Sequence, residues 1–200
     1  MRASRRPTVR LALLCATAAV VALTVPADGA VTSRTKYQSY KVGGTTEKGI
    51  VSYMRQHPYR GDSGHAYANI THYYSLKVDT EQDGKMCKVE DIDLAMSFVI
   101  TLPVPARPSA LTKSAKQSFK NFASFTRTHE ETHRANFIAC GKSFAAKAGT
   151  LTAGQCRALV TDVRNMLRQT ERDCEARQAS FDKQDAAKVN GLALFRKGWN

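Results

Sequence analysis

Long apolar runs are almost missing from this sequence. One covers residues 11–25, and beyond it nothing approaches the roughly 20 apolar residues that a transmembrane helix requires, so no membrane span is expected in the rest of the chain. Acidic side chains are also scarce, 17 against 30 Lys and Arg, which leaves a formal charge of +13. No CxxC pair occurs among the five cysteines, which argues against a cysteine-based zinc site. Residues 109–147 contain no proline, so nothing interrupts a helix there. Internal repeats and low-complexity tracts are absent as well, which removes solenoids and arrays from consideration.

The first thirty residues read as a secretory signal peptide. Arg2, Arg5, Arg6 and Arg10 form a basic start, the apolar run follows, and Ala27 and Ala30 offer small residues for cleavage. The remaining residues 31–200 suffice for a single domain with its own core. A secreted or extracytoplasmic, soluble protein is expected. Without the leader the charge falls to +10, spread along the chain with no basic block. This disfavours specific nucleic-acid binding and leaves attraction to an anionic cell-envelope polymer as a possible partner. Cys87, Cys140, Cys156 and Cys174 remain, an even set that implies two disulfides in an exported chain, with three pairings open.

The mature chain divides into a β-rich front (36–102) and a helical back (109–187). Residues 36–43 read as a strand closed by Gly43 and Gly44, and a short helix from Thr46 carries Ile50, Val51 and Met54. Residues 59–64 read as loop. Strict alternation from His65 to Val78 places Ile70, His72, Tyr74 and Leu76 on one face of a strand. After a turn at Asp83-Gly84, a second long strand turns Ile92, Leu94, Met96, Phe98, Ile100 and Leu102 inward. So short a connection implies an antiparallel hairpin. Residues 109–147 then predict one long helix ended by Gly149. Thr152 with Gln155 signals the start of a second, over about 153–187, with Leu159, Val163, Met166 and Leu167 inward. The expected fold is α+β: an N-terminal antiparallel β-hairpin or sheet packed on two long antiparallel helices.

Within the first long helix, His129-Glu130-Glu131-Thr132-His133 matches H-E-x-x-H. Histidines four apart share one helical face, so both imidazoles reach a single ion. Zinc lowers the pKa of bound water from about 16 to about 7, and Glu130 is placed to act as general base and then acid. The alternative is that both histidines merely continue the Phe122–Phe125 stripe into the core, an expensive arrangement with a glutamate between them and no metal.

A third ligand has to come from elsewhere. The extended metzincin pattern requires Gly at 136 and His at 139, where this chain has Asn136 and Ala139. An acid on the second long helix is the other solution. In an antiparallel hairpin position 130 is level with about 171, which favours Glu171; Glu175, Asp182 and Asp185 follow near the same face. His65, opening a strand, could line a cleft, whereas His72 reads as core or groove and His57, before Pro58, as exposed.

These residues, with YKVGGTT at 40–46, GKMCKVEDIDLAMSFVITLP at 84–103 and a later cysteine before a long helix, resemble a bacterial family formerly of unknown function and described as predicted secreted zinc-dependent proteases. The resemblance spans nearly all of the mature chain. It implies a zincin-like fold with Zn2+ on His129 and His133, Glu130 as general base, and a peptide or protein substrate. The family pattern closes with Tyr-Asp and then His-Gly. Here Phe181-Asp182 match the first pair in type, but Ala187-Lys188 stand in place of the second. Asp182 therefore rivals Glu171 as third ligand. A zincin-like binding module of the cell envelope without turnover is the alternative to a peptidase.

Overall fold

The computed structural model describes residues 30–62 and 64–199; the leader segment read as a signal peptide lies outside them, apart from its last residue. Strand β1 (Ala30–Val42) is followed by helix α1 (Glu47–Gln56) and by two short strands, β2 (Tyr59–Gly61) and β3 (Gly64–Ala66). The long strands β4 (Asn69–Asp83) and β5 (Met86–Pro105) lead into helix α2 (Lys113–Ala148). A two-residue strand β6 (Thr152–Ala153), the long helix α3 (Cys156–Asn190) and a short helix α4 (Ala193–Trp199) complete the chain.

The main sheet has the order β1-β5-β4, with β6 added to the start of β5. β4 and β5 form the expected antiparallel hairpin, with Ile70 opposite Ile100, His72 opposite Phe98 and Leu76 opposite Leu94. β1, however, pairs with β5 in parallel. The sheet is therefore mixed, and the wholly antiparallel expectation is corrected. A parallel neighbour needs a long connection, and the chain from β1 to β5 runs through α1, the β2–β3 hairpin and β4. Residues 59–64, expected to be loop, build that hairpin, and the alternating run that begins at His65 is split between β3 and β4.

Local chemistry sets the boundaries. The Thr46 hydroxyl accepts from the Gly49 amide at 3.1 Å and caps α1, and Thr112 caps α2 by accepting from the Ala115 amide at 3.2 Å. Gly44 has φ 99°, and a Cβ there would lie 2.4 Å from the Ile50 nitrogen, so the β1–α1 turn requires glycine. The expected cap at Thr152 is not formed: that residue belongs to β6, and Gln155 precedes α3 without a side-chain cap.

One face of β5 carries the core. Ile92, Leu94, Met96, Phe98 and Ile100 are all at most 1% exposed. Leu94, Met96 and Phe98 pack with Phe137 and Phe144 of α2 and with Leu159 and Val163 of α3. Gly141 lets α2 approach closely, since a Cβ there would meet the Met96 sulfur at 2.9 Å. A second apolar cluster joins Val42, Ile50 and Val51 to Phe119 and Phe122, with Leu194 and Phe195 of α4 closing it. The apolar tail of the chain is thus a packed helix.

Two disulfides decide among the three possible pairings. Cys87–Cys156 ties β5 to the first residue of α3, and Cys140–Cys174 joins α2 to α3. Such bonds fit an oxidising, extracytoplasmic compartment. Among the described residues, no helix is long and apolar enough to cross a membrane.

Candidate metal centre

The HExxH segment lies in the middle of α2 and faces the C-terminal half of α3. Its two imidazoles meet as the four-residue spacing requires, with ring centroids 4.5 Å apart and planes at 83°. His129 Nε2 and His133 Nε2 are 2.9 Å apart. Asp182 Oδ1 completes a triangle, 3.0 Å from the first nitrogen and 2.8 Å from the second.

Each ring is held from behind. His129 Nδ1 lies 3.0 Å from Asp185 Oδ2, and His133 Nδ1 lies 2.8 Å from Gln178 Oε1. A carboxylate and an amide oxygen only accept, so each Nδ1 donates, and a neutral ring then presents the Nε2 lone pair toward Asp182. Asn136 Nδ2 donates to the same Gln178 oxygen at 3.3 Å, which fixes the amide's orientation. Phe181 stacks on His129 at 4.8 Å between centroids and meets His133 edge-on at 5.1 Å. His133 is buried, while Asp182 stands at the rim with its side chain 54% exposed.

With both rings neutral, three lone-pair atoms converge at one point. A small cation satisfies such a group. Tetrahedral zinc with bonds of about 2.0–2.1 Å sets its donors about 3.3 Å apart, a few tenths of an ångström wider than this triangle. Side-chain rotation supplies that much, so the donor set fits. Backing of ligand histidines by a carboxylate or carbonyl is a usual companion of metal sites.

Glu130, the neighbour of His129, is buried, and burial together with the nearby Asp182 pushes its pKa up to about 8. In the opposite sense, Lys188 and His129 hold Asp185 below its ordinary range. The centre opens into a cleft of about 820 Å³ between α2, α3 and the start of β4. Asp62, Glu130, Glu175, Asp182 and Asp185 line this cleft, and among the described residues no Lys or Arg does. For so basic a chain the contrast is sharp.

The bacterial family of unknown function DUF922 matches residues 37–189. The chain belongs to this family. No curated protein and no solved structure matches it.

In this DUF922 chain, the expected residues are brought together unequally. His129, His133 and Asp182 meet, and Glu130 lines the same cleft. Glu171 does not join them. It lies eleven residues before Asp182, about 16 Å along α3. The facing pairs 129 with 182, 133 with 178 and 140 with 174 explain this. A tight hairpin would set 130 against 171. Here α3 starts about two turns past the end of α2, because the connecting residues 149–155 first run to β5, where Thr152 and Ala153 pair.

His65 lines the cleft, His72 lies over Phe137 with ring centroids 4.0 Å apart, and His57 stacks on Tyr53. None of the three belongs to the His129–His133–Asp182 group. Sequence reasoning missed Gln178. Its signal was positional: residues 174, 178, 182 and 185 recur at spacings of four and three, one face of α3, and only the acids on that face had been considered.

Proposed function

We propose that this chain is a zinc-dependent peptidase of zincin-like arrangement, with His129, His133 and Asp182 as metal ligands and Glu130 as general base. The observation that carries the reading is the convergence of three lone-pair donors whose histidine rings are tied back through Nδ1. A zinc ion held there supplies a Lewis acid and ionised water at neutral pH.

The protein's own groups do the rest. Asp185 and Gln178 keep both rings in the Nδ1–H tautomer. The Glu130 carboxylate takes the proton of the attacking water and delivers it to the leaving amine nitrogen. β4 is an end strand of the sheet, and Asn69 and Thr71 line the cleft, so an extended peptide can lie along that edge. An acidic cleft favours substrates bearing cationic side chains next to the scissile bond and repels acidic ones.

A second reading is a zincin-like envelope module that binds without turnover. It draws on the departure at Ala187-Lys188: Lys188 Nζ lies 2.5 Å from Asp185 Oδ1 and competes for the carboxylate that supports His129. Attraction of the basic exterior to an anionic envelope polymer belongs to either reading. The deciding experiment loads the purified chain with zinc and exposes it, beside the Glu130→Gln variant, to a mixed peptide library. Cleavage by the unsubstituted chain alone supports the peptidase. Zinc bound at one per chain with every peptide intact supports the module.

A further inference from the structure

The half of α3 that carries Asp182 and Asp185 has few apolar anchors, chiefly Phe181 against the His129 and His133 rings and Val189 against the second cluster. From residue 174 to the helix end, the buried residues are Cys174, Gln178 and Asp185, and none of them has a hydrocarbon side chain. Hydrophobic packing of α3 against the sheet is concentrated earlier, at Leu159 and Val163. Phe181 is the apolar contact between α2 and α3 at the centre itself, and a covalent restraint lies close by. The Cys140–Cys174 bond spans that interface. Cys140 follows His133 by about two turns of α2, and Cys174 precedes Gln178 by about one turn and Asp182 by about two.

The bond also touches the centre's hydrogen-bond chain. Gln178 Nε2 donates to Cys174 Sγ at 3.6 Å, while its Oε1 accepts from His133 Nδ1 at 2.8 Å. One sulfur thus holds one end of the amide whose other end orients a ligand ring. The opposite sulfur, Cys140 Sγ, accepts from Arg177 Nη2 at 3.0 Å. The second disulfide, Cys87–Cys156, has no such link. It sits at the far end of α3, twenty-six residues and about 39 Å of helix from Asp182.

We propose that the Cys140–Cys174 disulfide is a positioning element of the metal centre, fixing α3 against α2 and, through Gln178, the ring of His133. The inference rests on the metal-binding reading above and assigns this disulfide a role distinct from general stability. Cys87–Cys156 is then a staple of the fold only.

The test is zinc affinity, measured by competition with a chromophoric chelator, beside thermal midpoints. Four proteins are compared: the unsubstituted chain, Cys140→Ala/Cys174→Ala, Cys87→Ala/Cys156→Ala and Gln178→Ala. Both cysteine variants lose thermal stability, whereas only Cys140→Ala/Cys174→Ala and Gln178→Ala lose zinc affinity, by about 10–100-fold, the usual effect of removing a partner behind a ligand. Gln178→Glu, which keeps an acceptor for His133 but loses the donor to Cys174 Sγ, restores affinity only in part. If Cys140→Ala/Cys174→Ala does not fold, Gln178→Ala with both disulfides intact carries the decision. Equal weakening in both disulfide variants, or unchanged affinity in Gln178→Ala, overturns the inference while leaving the metal site in place. Failure of the unsubstituted chain to bind zinc removes the metal reading itself, and the inference with it.

Discussion

His133 Nε2 lies 2.8 Å from Asp182 Oδ1, and this contact joins the two long helices beside the acidic cleft. Replacement of either partner should separate metal binding from folding. Asp182→Ala is expected to lower zinc affinity by at least about 10-fold with little change in thermal midpoint, because its side chain is largely exposed and contributes little burial. Glu171→Gln is expected to bind zinc like the unsubstituted chain. Zinc content after dialysis against a weak chelator checks both. Equal loss in the two variants would return Glu171 to the ligand set.

Glu130→Gln should retain one zinc per chain and lose hydrolysis by about 10²–10⁴-fold, the usual contribution of a positioned acid–base group. A variant that loses the metal as well would place the carboxylate among the ligands. Metal analysis beside cleavage rates distinguishes these outcomes.

The lining of the cleft predicts substrate preference. Glu175→Lys puts a cation into a wall that has none. It should reduce cleavage of peptides with Lys or Arg beside the scissile bond relative to neutral ones, with zinc content unchanged. Identical preferences before and after the substitution would detach the acidic wall from recognition.

Glu47 gives a dependence on pH that owes nothing to the metal centre. The hydroxyl of Ser114 donates to its Oε1 at 2.6 Å and that of Ser118 at 3.1 Å, and Lys197 stands near. The Ser114 bond leads in holding its pKa below the ordinary 4.5. A depressed carboxyl pKa means that the unfolded chain binds the proton more readily. The stabilisation is therefore fully present above about pH 4.5 and is lost as pH falls through the lower folded value. Glu47→Gln should cost about 1 kcal/mol at pH 7. The gap between the two proteins should narrow below pH 4.5, as urea unfolding at several pH values would reveal; a constant gap would rule the carboxylate out as its source.

Local chemistry was legible before any tertiary structure. The alternation along β5, the Thr46 cap, the unbroken run through α2 and the four-residue histidine spacing each depend on neighbours within a turn or a pleat, so residue order alone specifies them. The facing of α3 against α2 depends on seven connecting residues, of which Thr152 and Ala153 pair with β5, so that 182 rather than 171 stands level with the histidines. Parallel pairing of β1 with β5 and the choice of disulfides are likewise long-range. They follow from how the sheet and helices bury their apolar faces together, which no single segment encodes. Two imidazoles on one face were written in the sequence. Only the packed molecule selected Asp182 to meet them, and Gln178 to hold one of them in place.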